Sequence, residues 1–302
     1  MNYYNEIKNE LINNEIYKRV KDYSKNRSDL NTYYNVGKLL IEAQGGENRA
    51  KYGDNLIKEY SKKLTNELGK GYTISALKRM RQFYIIIEKG ATMSHQLMWS
   101  HYIEIIKLNN INIINYYIKI SNSQKLSVRE LRNKIQNKEY ERLDEETKKK
   151  LTNKIEENNI KDFIKHPIII NNKYNYQEIS EKILKQLILE DLDNFLKELG
   201  DGFGYIKNEY KIKIGDKYNY IDLLLFNIEF NCYVVIELKV TELKSEYIGQ
   251  IQKYMNYIDK NIKKGYQDRT IGIIICKKDN RFIMEYCSDE RIYRTTYELS
   301  NI

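Results

Sequence analysis

Three charged residues fall where the sequence otherwise reads as buried β-structure. Asp222 lies inside Tyr220-Ile-Asp-Leu-Leu-Leu-Phe226, and Glu237 and Lys239 lie inside Tyr233-Val-Val-Ile-Glu-Leu-Lys239. Moving a carboxylate from water into an apolar sheet is costly unless a cation or a partner compensates it. Strand side chains alternate between faces, so Glu237 and Lys239 share one face while Ile236 and Leu238 take the other. The spacing between Asp222 and Glu237 leaves room for a strand, a turn and a returning strand to set the two acids side by side. Two carboxylates with the backbone carbonyl of Leu238 make an oxygen-only site suited to a hard divalent cation such as Mg²⁺. A lysine on the same face would orient or activate an attacking water and neutralise developing charge, which is the chemistry of metal-assisted phosphodiester hydrolysis. The plain alternative is a metal-free salt bridge between Lys239 and one of the acids.

The elements that must position these residues are legible around them. Residues 203–214 and 217–226 alternate about Gly215-Asp216, a hairpin signal, and 232–240 form a third strand after a short connection. Residues 245–264 read as a helix carrying Gln250 and Tyr254 one turn apart. The near-continuous apolar run 270–276 suits a strand buried on both faces, and 291–299 an edge strand. Upstream, residues 178–199 read as one amphipathic helix ended by Gly200, with Leu184, Leu187, Ile188, Leu192 and Phe195 on its core face and Glu190 at the edge of that face. The predicted order is helix, three strands, helix, strand.

The front half has a different character. Residues 1–150 hold 28 Lys+Arg against 18 Asp+Glu, a net of +10, whereas the remainder nets −1. Such asymmetry fits a polyanion-binding half joined to a half with another task, although a Lys-rich solvated surface gives the same excess. The periodicity is helical over 1–43 and again over 53–68. Gly69-Lys-Gly71 then makes a turn, and Thr73 or Ser75 caps a helix over 76–89. On that helix Leu77, Met80, Phe83, Tyr84 and Ile87 form an apolar side, with Lys78, Arg79 and Gln82 opposite and Arg81 at the flank. A glycine turn followed by a basic-faced helix is what a helix-turn-helix or winged-helix DNA reader requires. His101, beside the single Trp99, reads as a structural histidine. Ser127 and Glu130 have capping-box spacing. Residues 1–145 are therefore read as a basic helical DNA-binding domain and 176–302 as a catalytic domain. Residues 146–175, mixed in charge and holding the only proline, Pro167, are read as a linker.

Across 302 residues, 41% are hydrophobic and 31% charged, a globular composition. No apolar run reaches membrane-spanning length and no leader pattern opens the sequence, so a cytoplasmic protein without a membrane partner is expected. Cys232, Cys276 and Cys287 lack zinc-ligand spacing and are expected to be buried free thiols.

The arrangement of Asp222 and Glu237-Leu-Lys239 on successive strands between two helices resembles the PD-(D/E)XK nuclease superfamily. More narrowly, the sequence resembles YhcG-type bacterial proteins, which join a basic helical domain to such a nuclease domain. Gly71-Tyr-Thr-Ile-Ser75 through Met80-Arg-Gln-Phe-Tyr84, Trp99-Ser-His-Tyr102, Phe195 to Phe203, Ile221 to Leu225, Val235 to Lys239 and Gly249-Gln250 carry the likeness across most of the chain. Ile221 stands where the motif's proline would be. The resemblance implies an α+β protein whose C-terminal domain has the restriction-endonuclease-like αβββαβ core. It also implies a Mg²⁺-dependent endodeoxyribonuclease, with Mn²⁺ able to substitute. Asp222, Glu237 and the Leu238 carbonyl would hold the metal, and Glu190 would reach it through water or bind a second ion. Lys239 would assist the water, while Gln250 and Tyr254 would position phosphate or water. Expected partners are DNA and a second copy of the chain, because cutting both strands with one site per chain takes two copies. A fold-retaining DNA-binding protein without catalysis, or a nuclease acting on RNA, are the alternatives.

Overall fold

The computed structural model describes residues 3–20, 25–47, 50–153, 155, 159–287 and 289–300. It divides into two units, Met1–Gln136 and Asn137–Ile302.

Among its described residues the first unit's regular elements are helices: α1 Tyr3–Val20, α2 Lys25–Gln44, α3 Ala50–Leu68, α4 Ile74–Glu88, α5 Trp99–Ile105, α6 Ile111–Ser123 and α7 Val128–Gln136. Ile7, Leu11, Val36, Leu40, Ile57, Leu64, Leu77 and Met80 make one core from four helices. Gly37 lets α2 and α4 approach closely, since a Cβ there would lie 2.2 Å from the Met80 carbonyl oxygen and 2.7 Å from Tyr84 Cβ. Thr73 caps α4 by accepting from the Ala76 amide, and Ser127 and Glu130 close the expected capping box on α7. Trp99 packs edge-on against Phe83 with ring centroids 5.3 Å apart. His101 is buried; its Nδ1 accepts from the Met98 amide at 3.2 Å and its Nε2 lies 3.0 Å from the Leu126 carbonyl, a structural role as expected. A winged helix needs a β-hairpin, and no strand occurs among the described residues of this unit.

The second unit is a six-stranded mixed sheet in the order β1-β6-β5-β4-β3-β2. Its strands are β1 Ile168–Asn171, β2 Phe203–Ile214, β3 Lys217–Asn227, β4 Cys232–Glu242, β5 Ile271–Lys278 and β6 Ile292–Ser300. Pairs β2–β3 and β3–β4 are antiparallel; β4–β5, β5–β6 and β1–β6 are parallel. On one face α9 Glu181–Glu190 and α10 Leu192–Leu199 cover Leu223, Leu225, Val234, Ile236 and Leu238. On the other, α11 Ser245–Asn261 covers Leu224, Val235 and Ile274 through Ile251, Tyr254, Met255 and Ile258. Gly272 makes that contact tight, because a Cβ would sit 2.6 Å from Met255 Sδ. The short α8 Glu145–Thr152 and α12 Arg281–Glu285 complete the helices.

The hairpin, the third strand, the following helix and the two later strands fall where the sequence places them. Three features differ. Residues 146–175 do not form a linker: the unit boundary lies after Gln136, β1 adds to the sheet beside β6, and Arg142 clamps Glu198 of α10 at 2.6 and 3.1 Å. The single helix predicted over 178–199 is two, broken at Asp191 (φ −133°), whose carboxylate accepts from Asn194 Nδ2 at 2.7 Å. Finally β6 is interior, since β1 lies outside it. Cys232 and Cys276 are buried as free thiols and Cys287 is half-buried.

Candidate active site

The β3–β4 ladder stops at the pair Leu223–Ile236. Beyond it β3 continues with β2 as a two-stranded arm, while β4 continues with β5 as far as Glu242. The sheet therefore forks, and Asp222, Glu237 and Lys239 are the first charged residues past the split. At the fork the Leu238 amide, denied a backbone acceptor on β3, donates to Asp222 Oδ2 at 3.0 Å. In an extended strand a residue's N–H and C=O point to the same edge, so the Leu238 carbonyl also faces the opening.

Glu237 is almost completely buried, at 1% exposure. One carboxylate oxygen lies 3.3 Å from Lys239 Nζ and the other, Oε1, is buried with no hydrogen-bond partner. Burial and then the Asp222 charge push its pKa up to about 8, against the pull of Lys239. Lys239 is itself buried. Desolvation opposes its charge, but Glu237, Glu181 and Asp222 outweigh that and raise its pKa. Its Nζ also lies 5.1 Å from the centre of the Tyr247 ring, a cation–π contact.

Two side chains absent from the sequence-based set complete the ring. Lys185 of α9 donates to Asp222 Oδ1 at 2.8 Å and pairs with Glu209; burial disfavours its charge, yet these two acids raise its pKa. Glu181, in the first turn of α9, lies 4.0 Å from Lys239 Nζ. Both were readable as an i, i+4 pair flanking the buried Leu184 and Ile188, just after the Ser180 cap.

Tyr254 comes within range of the fork's charges, and Gln250 is hydrogen-bonded to it. Gln250 Nε2 donates to the Tyr254 hydroxyl at 3.2 Å, and burial raises the pKa of Tyr254, which also feels the charges of Glu237, Lys239 and Asp222. Glu190 does not. It ends α9, nine residues and roughly 13 Å of helix from Glu181. There it accepts from Gln186 at 2.8 Å, and with Tyr174 that bond holds its pKa below the usual carboxylate range. The acidic position that α9 brings to the fork is Glu181.

The basic positions of α4 are mostly engaged. Lys78 pairs with Asp54 of α3 at 3.0 Å, and Arg81 donates to Asp54 at 3.3 Å and to Gln44 at 3.2 Å. Gln82 is half-buried, which leaves Arg79 as the exposed member of the four.

A mixed sheet whose opened ladder gathers an aspartate, a glutamate and a lysine between two helices is the arrangement of a PD-(D/E)XK-type nuclease domain. Comparison with known proteins gives the same class: residues 161–300 match the family model of the YhcG PDDEXK nuclease domain, and residues 9–142 that of the DUF1016 N-terminal domain. The two matched domains follow one another in series along the chain. A protein of Escherichia coli (strain K12), provisionally named nuclease YhcG, is 27% identical over 283 residues, covering 81% of this chain and 76% of its own. Among solved structures, a repair endonuclease from Pyrococcus abyssi (21% identity, TM-score 0.30) and an EndoMS complex with double-stranded DNA (18%, TM-score 0.29) are similar over 40% and 43% of this chain. The chain spans about half the length of each, 48%. No helix among the described residues is long and apolar enough to cross a membrane.

No group of three or more His, Cys, Asp or Glu side chains with metal-binding geometry occurs among the described residues. The donors at the fork are instead two carboxylates and a main-chain carbonyl, with an orphaned Glu237 oxygen. That set fits a hard cation that keeps part of its water shell.

Proposed function

We propose that this protein is a Mg²⁺-dependent nuclease that hydrolyses DNA phosphodiester bonds at the β3–β4 fork, with Mn²⁺ able to replace Mg²⁺. The observation that carries this reading is Glu237: an almost fully buried carboxylate with one unpartnered oxygen, beside Asp222, where the sheet opens. A buried acid left half-satisfied costs stability unless a ligand completes it. Asp222, Glu237 and the Leu238 carbonyl would hold the cation, which when bound supplies a Lewis acid for the phosphoryl oxygens and lowers the pKa of water. Lys239, fixed by Glu237 and Tyr247, orients the attacking water and offsets charge as the phosphoryl centre becomes more negative. Gln250, braced by Tyr254, presents an amide to a phosphate oxygen or to that water. Arg79 and the positive excess of residues 1–150 hold DNA, and two copies of the chain act together when both strands are cut.

The test compares wild type with Glu237→Ala on linear, nicked, branched and single-stranded DNA and on RNA, each with Mg²⁺, Mn²⁺ or EDTA. Cleavage should require a divalent ion and vanish in the variant; an unchanged rate in Glu237→Ala would overturn the assignment. A second reading draws on the same ring of charges. Lys185 and Lys239 already neutralise the two acids, as a fold retained for binding alone would have it. A salt-dependent gel shift with no cutting under any ion would select that reading.

A further inference from the structure

Beside the fork, the tip of the β2–β3 arm and the outer face of α11 enclose an open groove of about 590 Å³. Lys213 supplies one wall, and Gly249, Lys253, Asn256 and Lys260 line the other. On α11 these four positions recur at i, i+4, i+7 and i+11, so they form one stripe along the helix. The stripe is roughly 16 Å long, comparable with about five nucleotides of one strand at 3.4 Å each. It adjoins the site directly: Lys253 Nζ lies 5.3 Å from the ring centre of Tyr254, which senses the fork's charges.

Two observations mark this groove as a ligand surface. First, Lys213, Lys253 and Lys260 are exposed, and no carboxylate of a described residue forms an ion pair with them. Asp259 and Asp289 are both committed to Arg291. Second, Gly249 sits within α11, where glycine costs helix stability relative to alanine. Protein packing does not require it, since a Cβ at Gly249 would meet nothing within 4 Å. A helical glycine with open space above it, on the wall of a basic groove, permits a ligand's close approach to the backbone.

We infer that this groove binds the phosphodiester backbone of the polynucleotide strand flanking the bond at the fork, so that the C-terminal unit grips its own substrate. This inference rests on the phosphodiester reading of the fork. The lysines would neutralise successive phosphates, and Gly249 would let the strand lie against α11 beside Gln250. The contacts are to the backbone, so the grip is independent of base sequence.

The test is fluorescence anisotropy of the full chain in EDTA, where nothing is cut, on a short labelled DNA duplex and a labelled RNA over a range of salt. The combined variant Lys213→Gln, Lys253→Gln, Lys260→Gln should bind about tenfold or more weakly and lower the log–log salt slope by about 3. The corresponding Lys→Arg variant should keep the slope. Gly249→Ala should melt higher, by about 2 °C, and yet bind several-fold more weakly, a pairing that lost folding cannot produce. The preferred polymer identifies the strand chemistry. Absence of binding by wild type, or an unchanged slope in the folded Lys→Gln variant, overturns the inference. Cleavage with Mg²⁺ or Mn²⁺ is read separately. Groove-dependent binding without cutting would refute only the catalytic reading, and metal-dependent cutting with an unchanged slope only the groove.

Discussion

The two basic surfaces of this protein differ in what their charges are doing. On α4, in the unit with the large positive excess, Lys78 and Arg81 are tied to Asp54. Along α11, in the half that nets −1, Lys253 and Lys260 stand free of carboxylate partners among the described residues. Net charge counts residues, whereas a polyanion meets only charge that is both exposed and uncommitted. A region can therefore be strongly basic by composition and modest as a binding surface, or nearly neutral and hold a strip of open positive charge.

The largest effect should come from the fork itself, where charge is buried rather than merely exposed. Lys239→Ala removes the ammonium paired with Glu237 and should lower the single-turnover cleavage rate by about 10²–10⁴-fold with little change in DNA affinity. A comparable loss of affinity would place Lys239 with the groove lysines instead. Next in size is the cost of the site in the absence of metal. Glu237 has a folded pKa of about 8 against 4.5 in the unfolded chain, so between those values the folded state holds more protons. Stability consequently falls as pH rises from about 4.5 to 8. In EDTA, Glu237→Gln should match wild type near the bottom of that window and exceed it by a few kcal/mol near the top. Mg²⁺ should raise the melting temperature of wild type but not of the variant. Equal pH profiles in denaturant titrations would show that the buried acid carries no such penalty.

How far the sequence foretold this site depends on how local each signal was. The hairpin at Gly215-Asp216 and the alternation through Glu237 and Lys239 are short-range patterns, and both strands formed where they indicate. The ladder of β1 is supplied by β6, some 130 residues later, so four residues, Ile168–Asn171, gave no local cue and read as linker. Glu190 and Glu181 illustrate a different gap. Helical periodicity says which side of α9 is buried but not which end lies over the fork; that was decided by where β3 leaves β4. Likewise no pattern in α4 announces that Asp54, on another helix, would claim its lysine and arginine.

A smaller effect isolates the packing that creates this pairing. Gly37→Ala would place a methyl group 2.2 Å from the Met80 carbonyl oxygen, backbone that has no rotamer to yield. It should destabilise the first unit by about 1–3 kcal/mol and spread α2 from α4, the helices that carry Gln44 and Arg81. Denaturant unfolding followed at Trp99, which packs on Phe83 of α4, reports on that unit. Unchanged stability would mean that the close approach at Gly37 relaxes at little cost.

The smallest expected change in stability bears most directly on the two basic surfaces. Asp54 is half-buried, and its pairs with Lys78 and Arg81 lie near the surface, where ion pairs contribute little to folding. Asp54→Asn should leave the melting temperature nearly unaltered while releasing two positive side chains and removing one negative charge. If α4 does face a polyanion, DNA affinity should rise and the salt slope steepen by about 1–2, each freed cation displacing roughly one counterion. The same substitution in the chain carrying the three Lys→Gln changes along the groove should give the same increment, because residues that share no partner add. An unaltered slope would mean that α4 does not meet the polymer even when its charges are free, and that grip resides elsewhere in the chain. A steeper slope would show that Asp54 holds the front surface below its full affinity.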